Sequence, residues 1–381
     1  MELPSYFADF LSAIRPTEAQ RKKMQERHIE LRDRLRADEE LGPLIVSTFI
    51  QGSYRRFTAN RPTDGSRCDV DIIAVTKIHE NDCTAEEALE KFRPFLVKHY
   101  KGKYQRQGRS WGINVDSDIS LDLVPTSAPS EAEEQAMANA KVFEWDFPDI
   151  PDLGNPLTYN SLILEGSGYQ FNQFTKAASA PDWKTQPLRI PDRDANSWGD
   201  THPLEQIRWT WEKSKLTNGH FVNVAKAIKR WRQVKQPTPK YPKSYPLEHM
   251  IGDCCPDGIQ HVAAGVAETF EEMERRYRPY VKMGIKPQIW DRGVMGHDVL
   301  KRVSFEDFSA FLDLSKDAAV LAREALDADT VKGSANLWRK LLGDEFPEPP
   351  DNGGGGGSST GGGGGYTPRV KNTTIDGGRF A

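Results

Sequence analysis

Two apolar segments, each interrupted or followed by small polar residues, constrain the fold of this chain most strongly. The segment LIVSTFI predicts a buried strand, and Gln51, Gly52 and Ser53 follow it directly. The segment CDVDIIAV predicts a second strand, in which Asp69 and Asp71 share one face because side chains alternate along a strand. Glycine lets the backbone approach a ligand closely, and serine adds a hydroxyl and an N–H. The pattern predicts a phosphate-binding loop beside two carboxylates.

A third carboxylate is predicted from the later segment ISLDLVP. Asp122 lies between Leu121 and Leu123, which places it in mid-strand, whereas Asp116 and Asp118 belong to VDSD, which is typical of a turn. Asp118 is the rival, since it shares the face of Asp122 if the strand begins earlier. Three clustered carboxylates suit hard divalent cations and two-metal nucleotidyl transfer. The other interpretation is three exposed aspartates on half-polar strands.

The order of QGS, DVD and DLVP resembles the polymerase-β-type nucleotidyltransferases. The stretch QGSYRRFTANRP resembles the bacterial relatives of cyclic GMP-AMP synthase, the cGAS/DncV-like nucleotidyltransferases (CD-NTases) of anti-phage CBASS systems. This resemblance implies an α+β fold, in which a polymerase-β-like nucleotidyltransferase lobe and a helical second lobe enclose a central cleft. The expected domains are a nucleotidyltransferase lobe with an N-terminal spine helix (1–202), a helical lobe (203–343), an acidic, Pro-rich and then Gly-rich linker (344–365) and a C-terminal tail (366–381).

The resemblance also implies the reaction. Asp69, Asp71 and Asp122 would be the catalytic residues and would hold two Mg²⁺ ions, with Mn²⁺ as an alternative. The enzyme would join NTPs, ATP among them, into a cyclic di- or trinucleotide second messenger, release pyrophosphate and reach a downstream effector through its product. An alternative enzyme would extend a linear oligonucleotide or an RNA tail, although a net charge of -4 disfavours a polymer substrate. A binding module without activity is the remaining alternative.

Further residues match the family's donor-nucleotide site. Lys229 and Ser244 would hold phosphates, and Tyr245 would stack on the base. By its own context, Lys229 lies at the margin of an apolar helix face, where a lysine usually extends its amine to solvent. Arg56 and its neighbouring arginines either steer a triphosphate or form a solvated face. The predicted nucleotide-binding set is Gln51, Gly52, Ser53, Lys229, Ser244 and Tyr245.

Composition and local patterns indicate the compartment and the possible membrane and metal interactions of the chain. The four cysteines follow no disulfide framework, no apolar run approaches the roughly 20 residues that span a bilayer, and the N-terminus lacks a signal-peptide pattern. We therefore expect a cytoplasmic protein that needs neither membrane nor nucleic acid. One group of possible zinc ligands remains open: His249, Cys254, Cys255 and His261. The group lacks a CxxC hairpin, and its adjacent cysteines are equally consistent with a packed helix end.

The C-terminus has an unusual composition. Residues 353–365 are almost only glycine and serine, which predicts a flexible linker, whereas residues 366–381 form a distinct end that finishes at Ala381. One interpretation is a terminus without consequence. The other is a tethered peptide captured by its carboxylate. The resemblance implies a ubiquitin-transfer-like CBASS partner that conjugates this C-terminus to other molecules.

Three local predictions concern secondary structure. Thr17 and Gln20 form a capping-box pattern that begins a long charged helix ending near residue 38. A second capping-box pattern at Thr84 begins a helix to about residue 100, which Pro94 should kink. The alternation across residues 104–115 predicts one strand, which pairs towards Asp122.

Overall fold

A mixed sheet, whose central strands are two of the predicted apolar segments, organises the fold. This computed structural model describes residues 1–63, 65–128, 130–131, 134, 186–235 and 238–349. The strand order is β1-β2-β5-β4-β3, with β6 paired to β5 and β7 paired to β6. Only β2 and β5 run parallel among the pairs of this described sheet. The strands are β1 (Ile45–Gln51), β2 (Cys68–Thr76), β3 (Tyr104–Arg106), β4 (Trp111–Asn114), β5 (Ile119–Ser127), β6 (Leu188–Asp192) and β7 (Ser197–Thr201).

Helices lie before, between and after the strands. Together with the sheet they form an α+β architecture, which confirms the predicted fold class. The first five helices are α1 (Pro4–Ile14), α2 (Glu18–Ala37), α3 (Gly52–Arg55), α4 (Ala85–Glu90) and α5 (Arg93–Tyr100). The helical half of the chain contains α6 (Pro203–Leu216), α7 (Phe221–Val234), α8 (Ser244–Cys254), α9 (Val262–Lys282), α10 (Phe305–Asp327) and α11 (Val331–Leu342).

The capping box predicted at Thr17 is present. The Thr17 Oγ1 accepts a hydrogen bond from the Gln20 N–H at 3.1 Å, and the Gln20 side chain accepts one from the Thr17 N–H at 2.9 Å. The helix α2 that begins there buries an apolar stripe that includes Met24, His28 and Leu31. Burial and the neighbouring Arg32 lower the pKa of His28 to about 3, so this histidine is a neutral packing residue at pH 7.

Two of the local predictions were wrong. The helix begun at Thr84 is not kinked at Pro94; it ends at Glu90, and Pro94 stands in the first turn of a separate helix, α5, where a missing N–H costs nothing. Residues 104–115 form a hairpin of β3 and β4 instead of one strand, although the expected pairing towards Asp122 is present because Gly112 of β4 pairs with Asp122 of β5. Helix α1, which the sequence patterns did not predict, packs into the core of the helical half.

The apolar core of the described residues consists of three clusters, one on each face of the sheet and one among the helices. One face of the sheet packs with α2, α4 and α5 in a cluster around Val70, Ile72 and Leu121. A smaller cluster on the opposite face includes Ile73 and Val124. A third cluster joins α1 to helices of the C-terminal half. Residues 1–349 nevertheless form one compact unit, and the division of the chain at residue 202 stays a prediction.

The register of the sheet aligns the polar positions. Gln51 of β1 pairs with Asp71 of β2, Asp71 pairs with Asp122 of β5, and Asp122 pairs with Gly112 of β4. These residues therefore form one row across four strands. The row ends at Gln51, directly before α3, so the strand order alone brings the predicted phosphate loop to the carboxylates.

Some predictions concern residues outside the described ranges. These are the Gly-rich linker from residue 350, the tail 366–381 and its last residue, Ala381. Across the part of the chain that is described, no helix combines the length and apolar composition needed to cross a membrane.

Candidate active site

Three carboxylates meet at the middle of the row just described: two belong to it, and the third lies two residues earlier on β2. Asp69, Asp71 and Asp122 each place an oxygen within 4.8 Å of the others. Ser120 Oγ donates a hydrogen bond to Asp69 Oδ1 at 3.1 Å, and Gln107 Nε2 donates one to Asp122 Oδ1 at 3.1 Å. The structure thus brings together the three aspartates predicted from the sequence, and two polar neighbours orient them.

The electrostatics of this cluster favour a bound cation. Burial, followed by repulsion from Asp69, raises the pKa of Asp71 to about 7. Burial together with Asp69 and Asp71 raises the pKa of Asp122, and burial raises that of Asp69. Three carboxylates that resist ionisation beside one another are a donor set that fits hard divalent cations. The residues present therefore can hold a metal ion.

Gly52 is required where the backbone passes over Asp71. Its φ of 73° lies in the left-handed region, and a Cβ atom at this position would stand 1.7 Å from Asp71 Oδ2. Any side chain would therefore displace the carboxylate. The close approach holds the Gly52–Ser53 turn directly against the carboxylate cluster.

On the helical side of the cleft, two cations share one carboxylate. Glu248 of α8 accepts from Lys229 Nζ at 2.6 Å and from Arg56 Nη2 at 2.8 Å, and Thr58 Oγ1 also donates to it at 3.0 Å. Burial raises the pKa of Glu248, but Lys229 and Arg56 outweigh this effect and lower it to about 2. Lys229 therefore does not extend to solvent as its margin position suggested, and Arg56 does not belong to a solvated face.

The predicted base-stacking residue is held by the loop between α9 and α10. Tyr245, 37% exposed, donates its hydroxyl to Asp291 Oδ2 at 2.5 Å. Gln206 Nε2 donates to the other oxygen of Asp291 at 2.8 Å. On its other side, the ring of Tyr245 meets His249 at 4.6 Å between centroids. Burial raises the pKa of Asp291, whereas the His297 ring at 3.7 Å and the hydrogen bond from Tyr245 lower that pKa well below its usual value, so Asp291 is a firm acceptor.

Most of these groups line one cavity of about 590 Å³. Its lining includes every residue predicted from the sequence for catalysis or nucleotide binding: Gln51, Gly52, Ser53, Asp69, Asp71, Asp122, Lys229, Ser244 and Tyr245. The carboxylates of the sheet and the cations of the helices thus stand on the walls of the same cleft, which suits a ligand with phosphates and a base.

Comparisons with known proteins agree with this geometry. Residues 1–151 match the family model of the Second Messenger Oligonucleotide or Dinucleotide Synthetase domain. The chain is 42% identical over 355 residues to a probable cyclic AMP-AMP-GMP nucleotide synthase of Salmonella paratyphi B, across 92% of this chain and 93% of that protein. It is 40% identical over 365 residues to the cyclic AMP-AMP-GMP synthase of Enterobacter hormaechei subsp. hoffmannii (strain UCI 50), across 92% and 93%. The chain belongs to the CD-NTase family of cyclic oligonucleotide synthases.

The solved structures extend the CD-NTase assignment to the fold. The CD-NTase CdnG of Bradyrhizobium diazoefficiens, solved in complex with GTP, superposes with a TM-score of 0.64 at 14% identity, over 90% of this chain and 96% of that one. The polymerase-β-like fold is therefore confirmed. The CD-NTase activity is nucleotidyl transfer that makes a cyclic oligonucleotide second messenger from NTPs with release of pyrophosphate, in anti-phage signalling. A binding module without activity is not supported.

The structure also shows the positions of Asp118, the alternative third carboxylate, and of three residues of the possible zinc group. Asp118 lies in the turn before β5 and pairs with Lys23 at 2.6 Å. Among the described residues, the one group with metal-holding geometry is the aspartate cluster. Cys254 and Cys255 are buried free thiols, and the His261 ring caps α9 by accepting from the Ala264 N–H.

Sequence reasoning missed Glu248 and Asp291. A signal for Glu248 existed, since it follows Ser244 by four residues and therefore shares its face of α8. Asp291 lies in a loop, where no periodicity marks it, and its partners Tyr245 and Gln206 are 46 and 85 residues away. No local pattern could have predicted that contact.

The raised pKa of Asp71 predicts how stability depends on pH. Between the ordinary aspartate pKa of 3.8 and the folded-state pKa of about 7, the folded protein keeps a proton that the unfolded chain releases, so this group lowers the free energy of unfolding as pH rises through that window. The metal-free Asp71→Asn variant should therefore melt about 2 °C or more above the parent at pH 8 and equally near pH 4. Thermal denaturation in EDTA at both pH values measures this.

The matched control is Asp82→Asn, which removes an exposed carboxylate on the turn before α4. It should leave the melting temperature unchanged at both pH values. Adding Mg²⁺ should raise the melting temperature of the parent more than that of Asp71→Asn. A variant that melts below the parent at pH 8 would contradict the repulsion within the cluster.

Proposed function

We propose that this protein makes a cyclic trinucleotide from two AMP units and one GMP unit. The observation that carries this proposal is 42% and 40% identity to two proteins named as cyclic AMP-AMP-GMP synthases, across more than nine-tenths of each chain. The cleft supports it, because its lining combines carboxylates, cations and an aromatic ring. ATP and GTP are then the substrates.

The catalytic group that we propose is Asp69, Asp71 and Asp122, with Mg²⁺ as the ion they hold and Mn²⁺ as the alternative. Bound divalent cations would supply neutralisation of the triphosphate and a lowered pKa for the attacking ribose hydroxyl. The chain's own part is positioning: Ser120 and Gln107 orient two of the carboxylates, and Gly52 holds the phosphate loop against the third. Precise positioning accounts for much of catalysis in nucleotidyl transfer.

The donor nucleotide is proposed to lie between the loop and α8. Gln51, Gly52 and Ser53 present the turn after β1, and α3 begins there. Lys229 would contact the phosphates, and Ser244, as the first residue of α8, would add a hydroxyl at a helix N-terminus. The Tyr245 ring, exposed to the cavity, would stack on the base.

Mass spectrometry of the products formed by the purified protein from all four NTPs and Mg²⁺ tests the proposed product. A cyclic product with two adenines and one guanine is expected. A linear product would favour the alternative of a chain-extending enzyme, and a cyclic product of other composition would reject the AMP-AMP-GMP assignment.

The same assay separates Asp122 from Asp118. Asp122→Ala should abolish synthesis, because it removes one of the three oxygens that meet in the cluster. Asp118→Ala should leave the rate within a few-fold, since Asp118 forms an exposed pair with Lys23, and such pairs contribute about 0–1 kcal/mol. Loss of activity in Asp118→Ala alone would contradict the metal-site assignment.

Substitutions of Tyr245 separate stacking from hydrogen bonding. Tyr245→Ala should raise the KM for the donor nucleotide by about 5- to 150-fold, because stacking contributes about 1–3 kcal/mol. Tyr245→Phe keeps the ring but loses the hydrogen bond to Asp291, so a rise of about 2- to 10-fold is expected. Steady-state kinetics with ATP and GTP measures both. Equal damage from the two variants would indicate that the hydroxyl, not the ring, is the essential group.

We also propose that the C-terminal tail serves a partner instead of catalysis. The support is its composition: a linker of glycine and serine, with a reach of about 20 Å, precedes a distinct end at Ala381. The partner chemistry is capture of the terminal carboxylate by a ubiquitin-transfer-like CBASS protein. Four free cysteines support a reducing compartment, the cytoplasm, for this protein.

Deletion of residues 366–381 tests the tail. Synthesis in vitro should be unchanged, and any covalent conjugate of the protein in cells that also produce this partner should disappear from immunoblots. Extending the chain by one residue beyond Ala381 is the matched control, since it keeps the tail and moves its carboxylate. A truncated protein that cannot synthesise its product would show that the tail belongs to the catalytic unit.

A further inference from the structure

One carboxylate connects three separate segments around the cleft. Glu248 lies on α8, Lys229 on α7, and Arg56 with Thr58 follow the phosphate loop. All of their contacts to Glu248 lie between 2.6 and 3.0 Å. The side chains of Glu248, Lys229 and Arg56 are only 9%, 8% and 10% exposed, so these contacts are largely shielded from water. We refer to Glu248, Lys229 and Arg56 as the charge triad.

The triad leaves donors available for a ligand. An ammonium has three N–H donors, and Lys229 uses one on Glu248 and one on the Thr58 carbonyl at 2.9 Å. The third is not engaged by these two bonds, and both Lys229 and Arg56 line the cavity. With two cations and one carboxylate, the triad carries a net charge of about +1. It is therefore held in place internally while still attracting an anion.

Glu248 also fixes the start of its own helix. Ser244 precedes it by one helical turn and lies on the same face, so both line the cavity. Bonds from Arg56 and Thr58 to Glu248 thus set the distance from the phosphate loop to the N-terminus of α8. Loss of these bonds would allow the two segments to separate.

We propose that Glu248 is a positioning residue of this enzyme: it orients Lys229 and Arg56 towards the triphosphate of the donor nucleotide and limits their combined charge. This inference rests on the proposed function of the cleft. It assigns Glu248 no contact with substrate, and it predicts that removing its charge will affect turnover more than nucleotide affinity.

Glu248→Gln is the informative substitution. The glutamine oxygen can still accept a hydrogen bond from Lys229. The amide nitrogen then faces the guanidinium of Arg56, and because both groups are donors, the arginine must turn away. The net charge of the triad rises to about +2. The kcat should fall by about 10-fold or more, because small misplacements of reacting groups are costly, while the KM for ATP stays equal or falls.

Salt dependence provides a readout that a merely structural role would not change. The Kd of ATP and of inorganic tripolyphosphate, measured by calorimetry across a KCl titration, should depend more steeply on salt in Glu248→Gln than in the parent. Glu271→Gln is the control, since it removes the charge of a surface glutamate paired with Arg323 on α10. The control should match the parent in kcat, KM and salt dependence.

A double-mutant cycle with Arg56→Gln tests the link between the two side chains. The double variant Arg56→Gln, Glu248→Gln has a net charge of about +1 again, and two amides can pair. It should recover the parent's salt dependence and turn over no more slowly than Arg56→Gln alone. The double variant no longer places an amide N–H against the arginine N–H groups. The positioning role can therefore still be tested if Glu248→Gln alone does not fold.

The outcomes are distinct. Two results would overturn the positioning role. One is that the kcat losses of the single variants multiply in the double variant. The other is that Glu248→Gln has a raised KM and an unchanged salt dependence. If the parent instead makes a product other than AMP-AMP-GMP, only the proposed product fails. The Glu248 measurements concern ATP binding and turnover to any product, and they would stand.

Discussion

Mutual repulsion among three carboxylates is the constraint on which the rest of this structure depends. Asp69, Asp71 and Asp122 meet within 4.8 Å, and burial together with this repulsion opposes their ionisation. A protein keeps such a cluster only if surrounding structure holds it in place. Here the sheet does so, because the row of paired residues through Asp71 and Asp122 belongs to the parallel pair at its centre.

Cations in the same cleft balance this negative charge. Lys229 is buried, the side chain of Arg56 is 10% exposed, and Glu248 satisfies both without cancelling their total charge. Removing one partner of a buried ion pair costs about 3–5 kcal/mol, so these side chains depend on one another. The cleft is thus negative at the sheet and positive at the helices. A metal-bound nucleoside triphosphate has the complementary arrangement of charges.

The family relationship and the geometry support each other at different levels. Identity of 42% across nearly the whole chain establishes the family, whereas the fold is shared with a solved CD-NTase at 14% identity. At such low identity the common element is the arrangement of strands and helices. Contacts within the cleft, such as the hydrogen bond from Tyr245 to Asp291, are features of this chain's own structure that a shared fold does not establish.

The sequence by itself determined those features that depend on neighbours along the chain. Strand alternation placed Asp69 and Asp71 on one face, and the flanking leucines placed Asp122 in mid-strand, because the period of a strand is a local property. The capping box at Thr17 was readable for the same reason. Only the tertiary structure decided the rest: that α1 joins the helical core, that Lys229 turns inward to Glu248, and that Asp291 holds Tyr245. These contacts join residues far apart in the chain, and their free energy comes from burial and charge pairing that no local pattern records.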